Sequence, residues 1–387
     1  MASGNQKIFD HVGNRIILDL ERNDHLVSQQ FRHSYQVPGA NLIDEFRDDD
    51  SPHIPCYYHG QVRQNRQLHD YVAISACKGL EGTFQLDRQR YEIEPLDDLI
   101  HVVYKASIND EIKEEIFSSK LDSIPNGLMD RRKIALKNDM IPALNPLANK
   151  KLLSQAEKSQ LEVLVISDLD VYKNQYRRKF GKIRPEVLST MNRVALEYKP
   201  LNLVVIVGKI ISWTKKDWIS KKDSFKLQSI KLNRRLRRKY KTTDIPFDAI
   251  IVLSTTARFQ ANSPGSSVAG KSLFKICGFP YSIRAVEYIE FKRNPLEDAF
   301  IITHELGHSL NLTHQLSTRE CDHPPCIMAS RYDPNEPYPT HFSKANQRNF
   351  IQYNIKSMIS IHFLHEQCPQ CFCLRYSYKS YEKPSKG

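Results

Sequence analysis

"THELGHSLNLTH", residues 303–314, decides how the C-terminal half of this 387-residue chain is read. His304 and His308 stand four apart, which on a helix sets both rings on one face. Neutral imidazoles at that spacing can share one Zn²⁺. Glu305, beside the first, is placed to take a proton from a water and return it to a leaving amine. His314 follows six residues after His308, where a third ligand would sit if the helix stopped and the chain turned back. Such a turn needs a left-handed residue. Asn311 is one of the few non-glycine types that adopts those angles readily.

The flanking residues support this reading. In "NPLEDAFIITHELGHSLNLTH", Asn294 suits an N-cap, Pro295 the first turn and Glu297 a capping box, so the histidines ride on a well-started helix. Downstream, "CIMAS" (326–330) places Met328 soon after the histidines, and Cys321 and Cys326 bracket a short loop.

Upstream the pattern alternates. "LEVLVISDLDVY" (161–172), "LVVIVGKIISW" (203–213) and "FDAIIVLST" (247–255) read as strands. "RPEVLSTMNRVALEYKPLN" reads as a helix ended by Pro200, and "DSFKLQSIKLNRRLRRKY" as an amphipathic helix turning Phe225, Leu227, Ile230, Leu232 and Leu236 inward. This βαβαβ order predicts an α/β unit with a twisted, mainly parallel sheet and helices packed on it. Residues 14–105 differ: "RIILDL" and "YVAIS" have strand character, and Gly, Pro and Asp separate such runs, so a β-rich domain is expected. Between them, residues 106–157 are polar and interrupted by prolines, an exposed linker with one short helix. Arg131, Arg132 and Lys133 would suit a basic-site processing protease there. The expected division is 1–157, 158–375 and a C-terminal tail at 376–387.

Charge is uneven. The chain carries a net +12, and much of the excess lies in 214–241, including "KLNRRLRRKYK". A charge run on a helix is most simply a solvated face; the alternative is attraction to an anionic glycan or surface. No groove-reading motif is recognised, so no specific nucleic acid is expected. No segment reaches the roughly 20 apolar residues of a membrane span, and the first twenty residues hold no run of signal-peptide length. The eight cysteines are Cys56, Cys77, Cys277, Cys321, Cys326, Cys368, Cys371 and Cys373. They fit a few disulfides in a large secreted domain.

At these motifs the sequence resembles the adamalysin or reprolysin metallopeptidases, the group containing the ADAM proteases and snake-venom metalloproteinases. "HELGHSLNLTH" is similar to their zinc signature and "CIMAS" to their methionine turn. "SVAGKSLFKICGFPYSIRAVEY" resembles the stretch with their substrate-pairing edge strand, and "CYYHGQVRQNRQLHDYVAISACKGLEGTFQLDRQRYEIEP" (56–95) their propeptide. The likeness covers most of 14–375. It implies a metzincin fold of mixed sheet, helices and a small lower subdomain. It also implies zinc on His304, His308 and His314, with Glu305 as general base and Met328 as an apolar floor beneath the metal. A peptide would add as a strand near 266–274.

The resemblance further implies disulfides Cys56–Cys77, Cys321–Cys326 and Cys277–Cys371, with Cys368 or Cys373 a substitute for the last. Two positions depart from the family: Asn311 stands for the usual Gly, and Gln315 for the usual Asp. Residues 78–276 hold no cysteine, so a thiolate switch has no candidate at the end of the propeptide, and latency is expected to come from the propeptide covering the cleft. The function implied is a secreted zinc endopeptidase acting on protein or peptide substrates and made as a zymogen. The competing function is a binding or adhesion module that keeps the fold without turnover. The intact His304, Glu305, His308 and His314 argue against loss of activity.

Overall fold

The computed structural model describes residues 5–11, 14–36, 43–44, 56–64, 67–86, 89–96, 100–106, 159–240, 246–256, 258–259, 269–276, 283–315, 321, 325–330, 338–339, 341–352 and 375–376. The 106–157 linker therefore lies outside the described residues except for Ala106, as do Cys277, Cys368, Cys371 and Cys373.

The N-terminal part is β-rich. Its strands are β1 (Asn5–His11), β2 (Asn14–Arg22), β3 (Val27–Tyr35), β4 (Ile43–Asp44), β5 (Tyr57–Gln64), β6 (Gln67–Ser75), β7 (Glu81–Leu86), β8 (Gln89–Pro95) and β9 (His101–Lys105). Seven of them form one antiparallel sheet in the order β1-β2-β5-β6-β7-β8-β9. Alternate side chains, among them Ile16, Leu18, Val62, Val72, Ile74 and Phe84, bury one face. Cys56 and Cys77 are bonded, closing the end of the β5–β6 hairpin.

The C-terminal part contains β10 (Ser159–Ser167), α1 (Ile183–Tyr198), β11 (Leu203–Ser212), α2 (Phe225–Tyr240), β12 (Ala249–Ser254), β13 (Gly270–Leu273), β14 (Ala285–Glu290), α3 (Pro295–Ser309) and β15 (Arg375–Tyr376). Strands β10, β11, β12 and β14 pair in parallel, and β13 is antiparallel at one edge. The parallel sheet expected from βαβαβ order is present. Residue parity separates its two faces. Leu161, Val163, Val165, Ala249 and Ile251 pack with α1 and α3. Leu164, Ile166, Ile250 and Val252 pack with α2.

Helix α2 is rotated from its expected setting. Leu227 is 40% exposed and Ile230 only partly buried, while Gln228, Ser229 and Asn233 are buried with Phe225, Leu232 and Leu236. The buried amides have partners: Asn233 accepts from the Arg284 N–H and donates to the Arg284 carbonyl, and Gln228 accepts from Arg258. Paired polar groups can occupy a core position that hydropathy alone assigns to leucine.

The division of the chain is not a division of the sheets. Strands β3 and β4 lie within the N-terminal part, yet β3 pairs in parallel with β11 and extends the C-terminal sheet, whose order is β13-β14-β12-β10-β11-β3-β4. Helix α1 lies between the two sheets. One side meets β11 and α3, and the other meets β5, β6 and β7. On that second side Arg193 donates to Glu92 at 2.8 Å and Arg90 to Glu197 at 2.9 Å, all four side chains buried. Tyr71 also donates to Glu197. His59 Nε2 bonds the Asn192 carbonyl at 2.9 Å, and Asn23 donates to the Asn192 side chain at 2.9 Å. These bonds, with those of Gln36 and His33 to residues 212–216, tie the N-terminal part to α1 and β11. None of them reaches the helix that carries the histidines.

Candidate metal centre

Helix α3 begins as its sequence directs. The Asn294 side chain accepts from the Glu297 N–H at 3.3 Å, and Pro295 occupies the first turn. Glu297 does not close the expected capping box: its carboxylate lies 3.0 Å from Lys292 Nζ, a charge partner that outcompetes a neutral amide. Tyr198 of α1 donates to the Thr303 carbonyl at 2.7 Å and holds α3 against the helix behind it.

The helix ends by a Schellman turn. The Asn311 N–H bonds the His308 carbonyl, and the Leu312 N–H bonds the Gly307 carbonyl, each at 2.9 Å. Asn311 has φ 66°, the left-handed conformation expected of it. Its side chain accepts from Lys275, and Asn346 Nδ2 donates to the Thr313 carbonyl at 3.1 Å to hold the return limb. Chain reversal brings His314 back beside the helix.

The three Nε2 atoms of His304, His308 and His314 form a triangle with every side 3.0 Å. His304 Nδ1 bonds the Ile327 carbonyl at 2.7 Å, and His308 Nδ1 the Leu312 carbonyl at 3.0 Å. A carbonyl can only accept, so both Nδ1 atoms carry the proton and both Nε2 atoms present lone pairs to the centre. Lone pairs converging at that distance repel unless a cation lies between them, and an all-imidazole set suits zinc. Burial and mutual repulsion push His304 well below its ordinary pKa, burial pushes His308 down to about 4, and burial lowers His314. All three are therefore ready to bind metal at neutral pH.

Glu305 is 3% exposed. Burial pushes its carboxyl up to about 8, opposed by the Lys271 charge and a bond from the Ser272 N–H. A bound dication would pull it down again. Residues that sequence reasoning did not single out shape this site. A Cβ on Gly270, at the start of β13, would stand 2.6 Å from Glu305 Oε1. A Cβ on Gly307 would stand 2.6 Å from Met328 Sδ. Glycine inside a helix costs about 1 kcal/mol against alanine, a signal that could have flagged Gly307. Nothing local marks Gly270. Buried Glu287 accepts from Ser309 at 2.5 Å behind the helix. Met328 is fully buried, and its carbonyl accepts from the Gln315 N–H at 2.9 Å. Cys321 and Cys326 are bonded next to the Ile327 carbonyl that orients His304. The expected pairing of Cys277 with Cys371 falls on residues outside those described.

The left-handed turn makes a graded series. Asn311→Gly should retain zinc and fold. Asn311→Val should weaken zinc binding about tenfold or more, since a β-branched residue there costs at least about 1–2 kcal/mol. Metal-competition titration checks it: equal zinc affinity in both variants would show that this turn does not deliver His314.

Residues 160–367 match the family described as Reprolysin (M12B) family zinc metalloprotease. The zinc metalloproteinase-disintegrin-like BmMP of Bungarus multicinctus is 26% identical over 327 residues, covering 84% of this chain and 50% of that protein. The zinc metalloproteinase-disintegrin-like BfMP of Bungarus fasciatus is 24% identical over 323 residues, covering 82% and 50%. The chain thus spans about half the length of the curated relatives it matches. Among solved structures, metalloproteinase-II from Bacteroides fragilis aligns over 91% of this chain and 92% of its own, with 10% identity and a TM-score of 0.41.

Proposed function

This chain belongs to the reprolysin (M12B) family of zinc metalloproteases, and from that premise we propose that it hydrolyses peptide bonds of protein substrates as an endopeptidase. His304, His308 and His314 hold the zinc. Held there, zinc would supply Lewis acidity toward a substrate carbonyl and a water. Glu305 accepts the proton of the attacking water and passes it to the leaving amine. Met328 closes the site from below as an apolar floor. The observation that carries this reading is the 3.0 Å triangle of Nε2 atoms with two Nδ1 protons fixed on carbonyls.

Substrate enters along β13. That strand ends the sheet, so its outer backbone groups can pair with an added strand. Gly270 on β13 lies against Glu305, so a peptide paired there runs past the base. Residues 1–157 act as a propeptide, with processing at Arg131, Arg132 and Lys133. Cys56 and Cys77 are bonded to each other and offer no thiolate to zinc, which supports latency of another kind. The two disulfides support an extracellular setting.

The test is metal content with cleavage of a denatured protein, on the full chain and on a preparation cut within 107–157. A single tightly held zinc is expected, with cleavage abolished by a chelator and restored by added zinc. The double variant His304→Ala, His308→Ala should lose the metal. Zinc kept at full stoichiometry by that variant would sink the ligand assignment. Zinc bound without cleavage in either preparation would favour a binding module instead.

A further inference from the structure

Residues 214–241 hold twelve Lys and Arg against Asp217 and Asp223, a net charge of +10 out of +12 for the chain. The structure shows where that charge points. With Phe225, Leu232 and Leu236 inward, Lys231, Arg234, Arg235 and Arg238 form one exposed stripe along α2, and Lys226 is exposed to one side of it in the first turn. From Lys231 to Arg238 the stripe rises about 10 Å. The helix contains no carboxylate. Asp223 takes Lys231, while Lys226, Arg234, Arg237 and Arg238 have no carboxylate partner among the described residues. Like charges three and four apart on a helix destabilise it. A bound polyanion would reverse that repulsion.

We propose that the exposed face of α2 binds a linear sulfated polysaccharide. Guanidinium forks pair bidentately with oxyanions, and a straight row of cations matches a linear chain of them. A lipid surface fits less well: among the large apolar side chains of this helix only Leu227 is exposed enough to enter lipid, and anionic lipid is concentrated on the cytoplasmic leaflet. Two disulfides point to the other side of the membrane. Single-stranded nucleic acid would need exposed rings for bases to stack on, but Trp218 lies under the Arg235 guanidinium at 4.9 Å.

The location adds a consequence. Side chains of α2 pack on the sheet face reached by Leu164, Ile166, Ile250 and Val252, whereas α3 packs on the opposite face. A polysaccharide on the outer side of α2 lies across the sheet from the histidine centre and leaves it open, so the molecule can be anchored and act at once. The binding itself does not depend on the zinc reading.

The experiment uses the full chain and immobilised heparin as the sulfated probe, across a salt series. The wild type is expected to stay bound at physiological salt. Lys226→Ser, Arg234→Ser, Arg238→Ser combined should weaken binding at least tenfold and flatten the salt dependence, because fewer counterions are released. A control removing the same charge elsewhere, Lys173→Ser, Lys179→Ser, Lys182→Ser, should bind like wild type, and circular dichroism checks that both variants are folded. Equal loss in both triple variants would overturn the proposal in favour of net charge alone. So would equal binding to desulfated heparin, or tighter binding to phosphatidylserine vesicles or single-stranded DNA than to heparin. Unchanged zinc content throughout separates this result from any failure of the protease assignment.

Discussion

Glu305→Gln should keep zinc and the native fold while lowering peptide hydrolysis by about 10²–10⁴-fold. The amide has the shape of the carboxylate and can still accept from the Ser272 N–H that Glu305 uses. It cannot take a proton from water at neutral pH. The side chain is almost wholly buried and held against Gly270 of β13. Glu287, a buried acid of β14, is engaged with Ser309 behind the helix. Steady-state cleavage of a quenched peptide, with zinc measured on the same sample, decides the matter. Activity within tenfold of wild type would remove Glu305 from the role of base. Gly270→Ala is an informative partner: its methyl would displace the carboxylate without changing its chemistry, so a loss of turnover with zinc intact is expected there too.

The second large effect lies where α1 meets the N-terminal sheet. Glu197→Ala should destabilise the full chain by about 3–5 kcal/mol, because it strands the buried Arg90 guanidinium without its anion and leaves the Tyr71 hydroxyl without its acceptor. The magnitude comes from leaving a charge alone in a poor solvent. The intact pair contributes much less, since burial opposes ionisation of Glu197 and Glu92 alike. Urea unfolding of the full chain measures it. A change below about 1 kcal/mol would mean that water reaches this interface and that α1 is not sealed by the N-terminal sheet.

Local chemistry determined much of this protein from sequence alone. Backbone angles and capping depend on neighbours a few residues apart, so "NPLEDAF" could be read as a helix start and Asn311 as the left-handed stop. A four-residue spacing sets His304 and His308 on one face whatever else the chain does. Alternation of strand and helix was enough for a parallel sheet, because few topologies join such elements.

What lay beyond the sequence is what residues far apart in the chain do to one another. Strand β3 reads "VSQQFRHSY", too polar to announce a place in a core sheet, and it is seated by partners about 180 residues away in β11. Buried Arg90, Glu92, Arg193 and Glu197 look like surface residues in any local window. Only the packing of α1 between two sheets pairs them. Asn233 and Gln228 face the core for the same reason: a distant backbone or guanidinium completes their hydrogen bonds. At the metal centre, sequence could name the three histidines, but the tertiary structure supplied the Ile327 carbonyl that sets the His304 tautomer and the bare Gly270 that admits the Glu305 carboxylate. A hydrogen bond or a steric gap has no signature in either partner alone, because its energy exists only when both are brought together.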